Sequence, residues 1–226
     1  MSKRSDNSKR PFVTVKFAQS LDGRIATSTG DSRWISSPSS LRLSHKLRRE
    51  HDAILVGIGT VLSDDPQLTV RLLKGRDPLR IVVDSKLRIP LNSRLLANGA
   101  ANGTLVATAL SSDSQRTRAI QDAGAEVLRL PKARNGPGID ISRLLQELQR
   151  RGIQSVLVEG GKAIITSLFN ARAVDRLVVI IAPKIIGQGT EAIGQLGIKK
   201  LERAVTFASA KTRKLGDDII FDGRLK

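Results

Sequence analysis

Four short apolar runs constrain most strongly what this chain can fold into. They occupy residues 53–56, 79–83, 104–107 and 155–158, and each is bounded by polar residues or by glycine. Short, predominantly apolar runs are typical of strands that are buried on both faces. Because helices must cover both faces of such a sheet, the runs predict the central strands of an α/β fold.

The segments between these runs carry helix signals. Residues 113–123 and 141–151 are amphipathic, and Gly124 and Gly152 follow where a helix C-terminus favours glycine. A further helix is predicted to begin at residues 36–38 (SSP) and to end near Asp52, with Leu41, His45 and Arg48 along one face. Strands that alternate with helices predict right-handed crossovers in a mostly parallel, twisted sheet.

The two ends of the chain differ from its middle. Residues 12–17 alternate as a strand should, and a turn at 20–23 leads to 24–26. Residues 174–182, 204–210 and 218–221 have strand character with little helix between them, which predicts antiparallel strands near the C-terminus. We expect one domain over 11–226, a disordered basic leader over 1–10 and a mobile loop over 131–138.

The composition excludes several kinds of site. The chain of 226 residues has no cysteine, and its two histidines, His45 and His51, lack the spacing that joins two imidazoles on one helical face. We therefore expect no disulfide and no metal. The longest apolar stretch, residues 177–183, is far below the ~20 residues that span a bilayer, so we expect no membrane contact and a cytoplasmic location.

The chain is strongly basic, with a formal net charge of +17. Such a charge indicates binding of a polyanion or of a small anionic substrate. With one Trp, no Tyr and five Phe, the chain lacks the aromatic platforms on which single-stranded nucleic acids stack. The composition therefore favours a pocket for an anionic small molecule, with a basic nucleic-acid-binding module as the alternative.

One strand predicts a ligand site directly. Residues 156–161 (VLVEGG) end an apolar run with Glu159, Gly160 and Gly161, and residues 162–171 have helical character. Free N–H groups at a helix N-terminus bind phosphate, and a side chain at the carboxyl end of a parallel strand faces the ligand crevice. The alternative is an ordinary strand-to-helix turn.

Two other glycine patterns differ in how strongly they predict ligand binding. Gly57 and Gly59 follow an apolar run and precede a short helix that ends in acidic residues, which predicts a second edge facing the ligand. Residues 187–192 fit the dinucleotide template G-x-G-x-x-A, but Gly194 and Gly197 interrupt the helix that must follow. We interpret that match as accidental.

Several short segments occur in a fixed order along the chain. They are 20–26 (SLDGRIA), 30–35 (GDSRWI), 57–66 (GIGTVLSDDP), 68–71 (LTVR), 80–85 (RIVVDS), 157–161 (LVEGG) and 182–187 (APKIIG). In this order they resemble the reductases of riboflavin biosynthesis, and the resemblance covers residues 11–222. It implies a fold like that of dihydrofolate reductase and a homodimer.

The resemblance also implies an activity. Members reduce the ribosyl group of a ribosylamino-pyrimidine 5′-phosphate to a ribityl group with NADPH, and NADH is the alternative cofactor. Only ten residues precede the domain, so we expect no fused deaminase, and the substrate of a stand-alone reductase is 2,5-diamino-6-ribosylamino-4(3H)-pyrimidinone 5′-phosphate. Two alternatives stay open: the already deaminated uracil analogue as substrate, and a paralogue that reduces dihydrofolate or another pterin.

The resemblance assigns residues to the substrate and to the proton transfer. Lys16, Asp64 and Glu159 are the catalytic candidates, with Glu159 first, since hydride addition needs a neighbour that stabilises charge and donates a proton. Alternatively, Lys16 is an outward residue of a strand and Asp64 ends a helix. The positions matched to the substrate and its phosphate are Ser32, Arg48, the main chain at Leu68, Arg71 and Glu159.

The cofactor positions follow from the same match. The residues that would line the cofactor site are Ala18, Trp34, Thr60, Asp64, Ser85, Gly160, Gly161, Lys162, Ala163 and Ile164. Residues 161–167 would bind the pyrophosphate, and Lys86 or Arg88 would favour the 2′-phosphate of NADPH. A core position for Trp34 and an ordinary turn for Ser85 are the alternatives.

Overall fold

The computed structural model describes residues 10–111, 113–134 and 138–226, which form a nine-stranded sheet and a two-stranded sheet. The order of the large sheet is β10-β11-β8-β1-β7-β3-β4-β5-β6. Its strands are β1 (Phe12–Ser20), β3 (Ala53–Gly57), β4 (Leu79–Val83), β5 (Thr104–Ala109), β6 (Glu126–Leu130), β7 (Ser155–Val158), β8 (Arg176–Ala182), β10 (Phe207–Leu215) and β11 (Asp218–Leu225).

Most of this sheet is parallel. All pairs from β8 to β6 are parallel, whereas β11 pairs antiparallel with both β8 and β10. The predicted α/β fold, with a mostly parallel sheet and antiparallel strands near the C-terminus, is therefore confirmed. The four apolar runs all lie in the centre of the sheet, where both faces are covered.

Among the described residues, five α-helices cover the sheet: α1 (Pro38–Arg49), α2 (Ile58–Asp64), α3 (Ser114–Asp122), α4 (Ile141–Arg150) and α5 (Lys162–Asn170). One core contains side chains of α4 and α5, and a second core contains side chains of α1, α2 and α3. Asp113 and Asp140 cap α3 and α4 by accepting hydrogen bonds from two backbone N–H groups each. Helices thus pack against the sheet strands in two separate cores.

The small sheet lies beside the large one. It pairs β2 (Arg24–Thr27) with β9 (Gly189–Glu191), and we call this pair the flap. Residues 187–192 therefore contribute a strand and do not begin a helix, in agreement with the rejection of the dinucleotide match. None of the described helices is long and apolar enough to cross a membrane.

The sequence analysis located some elements imperfectly. Strands β6 and β9 were missed, since the half-exposed residues of β6 give no continuous apolar run. The strand expected over 204–210 begins instead at Phe207 and extends to Leu215, because it is an edge strand whose exposed residues are mostly polar or basic. Residues 1–9 of the expected leader and 135–137 of the expected loop lie outside the described residues. Lys132, near the start of that loop, and Ile139, just after it, form an isolated antiparallel bridge.

Candidate active site

A cleft with a volume of about 630 Å³ opens at the carboxyl ends of the central strands. Pockets that hold a cofactor or substrate usually have volumes of this size. Lys16 and Ala18 of β1, Gly57 at the end of β3, Val83 at the end of β4 and Glu159 after β7 all line it. This is the edge at which open α/β sheets bind ligands.

Glycines form one wall of the cleft. A Cβ atom on Gly57 would lie 2.9 Å from Cγ1 of Ile164, and one on Gly160 would lie 3.2 Å from Oγ1 of Thr60. Gly160 also has a φ of +130°, which side chains rarely adopt, and its carbonyl accepts a 2.9 Å hydrogen bond from the N–H of Gly57. The two glycine turns predicted from the sequence therefore lie against each other.

Helix α5 begins at this wall. Gly161 precedes its first residue, Lys162, and no side chain of the described residues caps its N-terminus. Lys162 and Ala163, in the first turn of α5, line the same cleft as the glycines, and the helix dipole favours an anion at this end of the helix. The residues present therefore fit a pyrophosphate group.

The flap forms the opposite wall. Ile25, Ala26 and Thr190 line the cleft, and Glu191 binds Lys162 (Oε2–Nζ 2.7 Å) and Arg24 (Oε1–Nη1 2.9 Å). The flap is thus joined to the N-terminal end of α5 by an ion pair. Since all three side chains are substantially exposed, the pair is weak and open to competition from another anion.

Glu159 is held by Arg48 at the inner end of the cleft. The guanidinium donates from Nη2 to Oε2 at 2.6 Å and from Nε to Oε1 at 3.1 Å, and the side chains are only 11% and 8% exposed. Nη1 of Arg48 also donates to the carbonyl oxygen of Thr69 at 3.2 Å. A buried, bidentate ion pair of this kind, with two hydrogen bonds, fixes the position of the carboxylate.

The charges around Glu159 determine its ionisation. Burial raises the pKa of Glu159, but the positive charges of Arg48 and Lys16 and the hydrogen bonds from Arg48 outweigh burial and lower the pKa to about 2. Glu159 is therefore a carboxylate at neutral pH, and it is a poor proton donor. As a carboxylate, Glu159 can stabilise positive charge beside it.

Lys16 carries a second perturbed charge at the cleft. Burial lowers its pKa, Glu159 raises it, and Arg48 lowers it, with a net decrease from the ordinary value of lysine. No hydrogen bond joins its ammonium to another residue in the part of the chain that the structure describes, and Lys16 lines the cleft. An ammonium with a lowered pKa is well suited to general acid catalysis.

A turn beside the cleft carries a further cation. Arg88 lines the cleft together with Ser85, and its Nε lies 3.5 Å from Oδ1 of the fully buried Asp84. Oδ2 of Asp84 accepts a 2.8 Å hydrogen bond from the N–H of Ile89, and Arg116 of α3 donates to the carbonyl oxygens on either side of Arg88. The turn is therefore held in one conformation with Arg88 at the cleft; Lys86 is exposed and does not line it.

The structure brings most of the predicted site residues together. Arg33 donates from Nη2 to the carbonyl oxygen of Asp64 at 2.7 Å, which joins the loop of Ser32 to the end of α2. The predicted residues that line the cleft are Lys16, Ala18, Ser32, Thr60, Asp64, Ser85, Glu159, Gly160, Gly161, Lys162, Ala163 and Ile164.

Besides Lys86, four predicted residues do not line the cleft. Trp34 is 72% exposed, and its carbonyl oxygen accepts a hydrogen bond from Nζ of Lys184, so it is neither a core anchor nor part of the cleft wall. Leu68 is buried, and Arg48 reaches the cleft only through Glu159. Arg71 has an exposed guanidinium that donates to Oγ1 of Thr69.

The flap residues Ile25, Ala26 and Thr190 were not predicted to line the site, because the pairing of β2 with the three-residue strand β9 leaves no pattern in the sequence. It also gave no role to His45, which is buried beside Arg48 and Arg71. The spacing of three residues between His45 and Arg48 on one helical face was the available signal. Among the described residues, no group of three or more His, Asp or Glu side chains could hold a metal ion.

Comparison with known proteins identifies similar sequences. The family described as "RibD C-terminal domain" matches residues 11–221. The riboflavin biosynthesis protein RibD of Aquifex aeolicus is 39% identical over 213 residues, which are 94% of this chain but only 57% of that relative. The 2,5-diamino-6-ribosylamino-4(3H)-pyrimidinone 5′-phosphate reductase of Methanothermobacter thermautotrophicus is 38% identical over 223 residues, which are 96% of this chain and 99% of that relative.

Comparison with solved structures agrees. RibD of Acinetobacter baumannii superimposes with a TM-score of 0.82 and 26% identity, over 97% of this chain and 59% of that one. Dihydrofolate reductase of Enterococcus faecalis superimposes with a TM-score of 0.51 and 13% identity, over 95% of this chain and 96% of that one. The second likeness concerns the fold alone, and it confirms the expected dihydrofolate-reductase-like fold.

Proposed function

Since this chain belongs to the family described as the RibD C-terminal domain, we propose that it is an NADPH-dependent reductase of riboflavin biosynthesis. Its substrate is 2,5-diamino-6-ribosylamino-4(3H)-pyrimidinone 5′-phosphate, and its product carries a ribitylamino group. The name of the full-length Methanothermobacter relative supports this substrate. Because the chain spans 57% of the Aquifex RibD, the deaminated uracil analogue stays the alternative substrate.

The cleft supports binding of a nicotinamide dinucleotide. The glycines at positions 57, 160 and 161 and the uncapped N-terminus of α5 would hold its pyrophosphate. Arg88, at the cleft beside Ser85, would bind a 2′-phosphate, which favours NADPH over NADH. When bound, the nicotinamide supplies the hydride.

The cations near Glu159 support binding of a phosphorylated sugar. Ser32 lines the cleft, and Arg48 and Arg71 lie close enough for the charge of one to lower the pKa of the other. Arg71 has the exposed guanidinium and would bind the 5′-phosphate, whereas Arg48 acts mainly by fixing Glu159. The main chain at Leu68 completes the set that we propose for the substrate.

Lys16 would donate the proton of the reaction, and Glu159 would stabilise the positive charge around it. In the open form of the sugar, C1′ is joined to nitrogen by a double bond; a hydride adds to C1′, the π electrons move to nitrogen, and a proton completes the amine. We propose that the ammonium of Lys16 supplies this proton and that the carboxylate of Glu159 stabilises the cationic neighbourhood in which it is transferred. Asp64, at the cofactor side of the cleft, is the remaining candidate for relaying a proton.

A single observation carries the proposal: Lys16 and Glu159, which Arg48 holds from behind, line the same cleft as the glycine wall and the start of α5. The test is NADPH oxidation by the purified protein with each phosphorylated pyrimidine, with the product identified by its mass. We expect a product whose mass exceeds that of the diamino substrate by two hydrogen atoms. Turnover of dihydrofolate without turnover of either pyrimidine would instead support a pterin reductase.

Two further parts of the proposal need separate measurements. We propose a homodimer, which light scattering of the eluting protein would detect as twice the 24.5 kDa chain mass. A nucleic-acid-binding module is the competing class because of the +17 charge. Salt-dependent binding of DNA or RNA without NADPH oxidation would support that class.

A further inference from the structure

We propose that His45 is a positioning residue that holds the Arg71 segment in place for the substrate's 5′-phosphate, through a hydrogen bond that only a neutral imidazole can accept. This inference rests on the proposed function, and it predicts that kcat/KM of that reaction falls at acidic pH. His45 itself touches neither ligand in the proposal. It acts through the main chain of Arg71.

The geometry that carries the inference is a bond between α1 and the segment after α2. Nδ1 of His45 accepts a 3.0 Å hydrogen bond from the backbone N–H of Arg71, 26 residues later in the chain. One turn further along α1, Arg48 donates to the carbonyl oxygen of Thr69. Helix α1 therefore holds the segment 69–71 at two points, and it fixes Glu159 with the same arginine.

The donor in this bond determines the state of the imidazole. A backbone N–H can only donate, so Nδ1 must carry a lone pair, and the proton of neutral His45 lies on Nε2. Protonation turns Nδ1 into a donor that faces another donor. The bond would then be lost, and the backbone of Arg71 would be repelled.

The surroundings of His45 keep it neutral. Its side chain is 1% exposed, and the charged groups that face it are Arg48 on its own helix, Arg71 on the bound segment, Lys16 on β1 and Glu159 after β7. Burial lowers the pKa of His45, the three cations lower it further, and Glu159 alone raises it, so the net pKa falls below its ordinary value of 6.5. The bond is therefore intact at neutral pH and is lost as the pH falls through the lowered pKa.

The inference predicts a specific kinetic effect. The phosphate is remote from the reacting C1′ and is held equally before and during the reaction, so loss of its anchor raises KM and leaves kcat nearly unchanged. A purely structural role for His45 would instead reduce the amount of active enzyme and leave KM unaltered. The KM effect and its pH dependence separate the two.

Three variants test the inference. His45→Leu removes the acceptor, and we expect KM for the phosphorylated substrate to rise about fivefold to tenfold, the effect of one lost hydrogen bond, with kcat within about twofold. His45→Asn keeps an oxygen where Nδ1 lies, so we expect a KM near that of the wild type and no acid limb in kcat/KM below pH 6.5. His51→Gln is the matched control, since it removes the other histidine, which is half-buried and bonds the carbonyl oxygen of Leu47 and Oγ1 of Thr14, and we expect it to retain the acid limb.

A measurement without turnover keeps this inference separate from the proposed function. In ¹H–¹⁵N spectra of the wild type, the Arg71 amide should shift on acidification with the same midpoint as the His45 imidazole, and this shift should disappear in His45→Asn. The inference would be overturned if the chemical shift of the Arg71 amide did not change as His45 titrates. It would also be overturned if the acid limb of kcat/KM persisted in His45→Asn. Failure of the wild type to reduce any pyrimidine phosphate would overturn the proposed function alone, and the spectra would still decide the role of His45.

Discussion

Arg48 and Glu159 form a two-bonded ion pair across 111 positions of sequence, with Nη2–Oε2 at 2.6 Å and Nε–Oε1 at 3.1 Å. One partner lies on α1 and the other follows β7, so the pair joins a helix to the cleft edge of the sheet. It also holds the carboxylate ionised beside Lys16. The first prediction follows from this relationship.

Replacement of Arg48 by Ala would leave Glu159 buried without its main partner. Removing one partner of a buried pair costs about 3–5 kcal/mol, and we expect a corresponding fall in the free energy of unfolding, measured by denaturant titration. The pKa of Glu159 would rise from about 2, so the part of the stability that the wild type loses on acidification between about pH 4.5 and 2 should shrink in the variant. KM for the pyrimidine phosphate should rise at least about tenfold because the segment 69–71 also loses a contact.

The matched control is Arg42→Ala, which removes an exposed arginine from the same helix. We expect its stability to change by less than about 0.5 kcal/mol. Equal losses in the two variants would show that the ion pair contributes nothing specific.

Replacement of Lys16 by Met would remove the proposed proton donor. We expect kcat to fall by roughly 100-fold, in the range typical of general acid catalysis, while KM for NADPH changes little. In the wild type, kcat should decrease as the pH rises through the lowered pKa of Lys16, since the deprotonated amine cannot donate. In Lys16→Arg that alkaline limb should move to higher pH; an unmoved limb would assign it to another group.

Replacement of Arg88 by Ala would test cofactor selection. Arg88 lies at the cleft beside Ser85, and a guanidinium that binds a phosphate typically contributes a factor of roughly ten or more. We therefore expect KM for NADPH to rise about tenfold and KM for NADH to stay within about twofold. Lys86→Ala is the control because Lys86 is exposed outside the cleft, and a larger effect there would reverse the assignment.

Replacement of Glu191 by Gln would free Lys162 from its ion pair. Since Glu191 competes with an anion for this ammonium at the start of α5, we expect KM for NADPH to fall about twofold to threefold at low salt and to converge with the wild type at high salt. Glu202→Gln is the control, because it removes a carboxylate from the exposed pair with Lys200 at 3.9 Å. If KM for NADPH rises in Glu191→Gln instead, the ion pair between Glu191 and Lys162 holds the flap in a position that favours NADPH binding.

The central strands were predictable because their signal is local. Residues 79–83 and 155–158 were located to the residue, since a strand that is buried on both faces is predominantly apolar. The glycines at 160 and 161 were predicted as a ligand site for an equally local reason, the conformation required at a strand-to-helix turn. By contrast, β9 is three residues long and depends on its pairing with the distant strand β2, so no window of sequence indicates it.

The sequence by itself determined the type and order of most elements, the parallel sheet and the glycine wall, because burial and backbone conformation act over a few neighbouring residues. Only the tertiary structure decided that Glu159 is bound by Arg48, that His45 accepts from Arg71 and that Trp34 faces solvent. Ion pairs and hydrogen bonds between distant segments depend on distances of a few ångströms, and those distances exist only once the sheet has brought the segments together. The charge state of each site residue is set at the same step, since pKa values respond to burial and to neighbours in space.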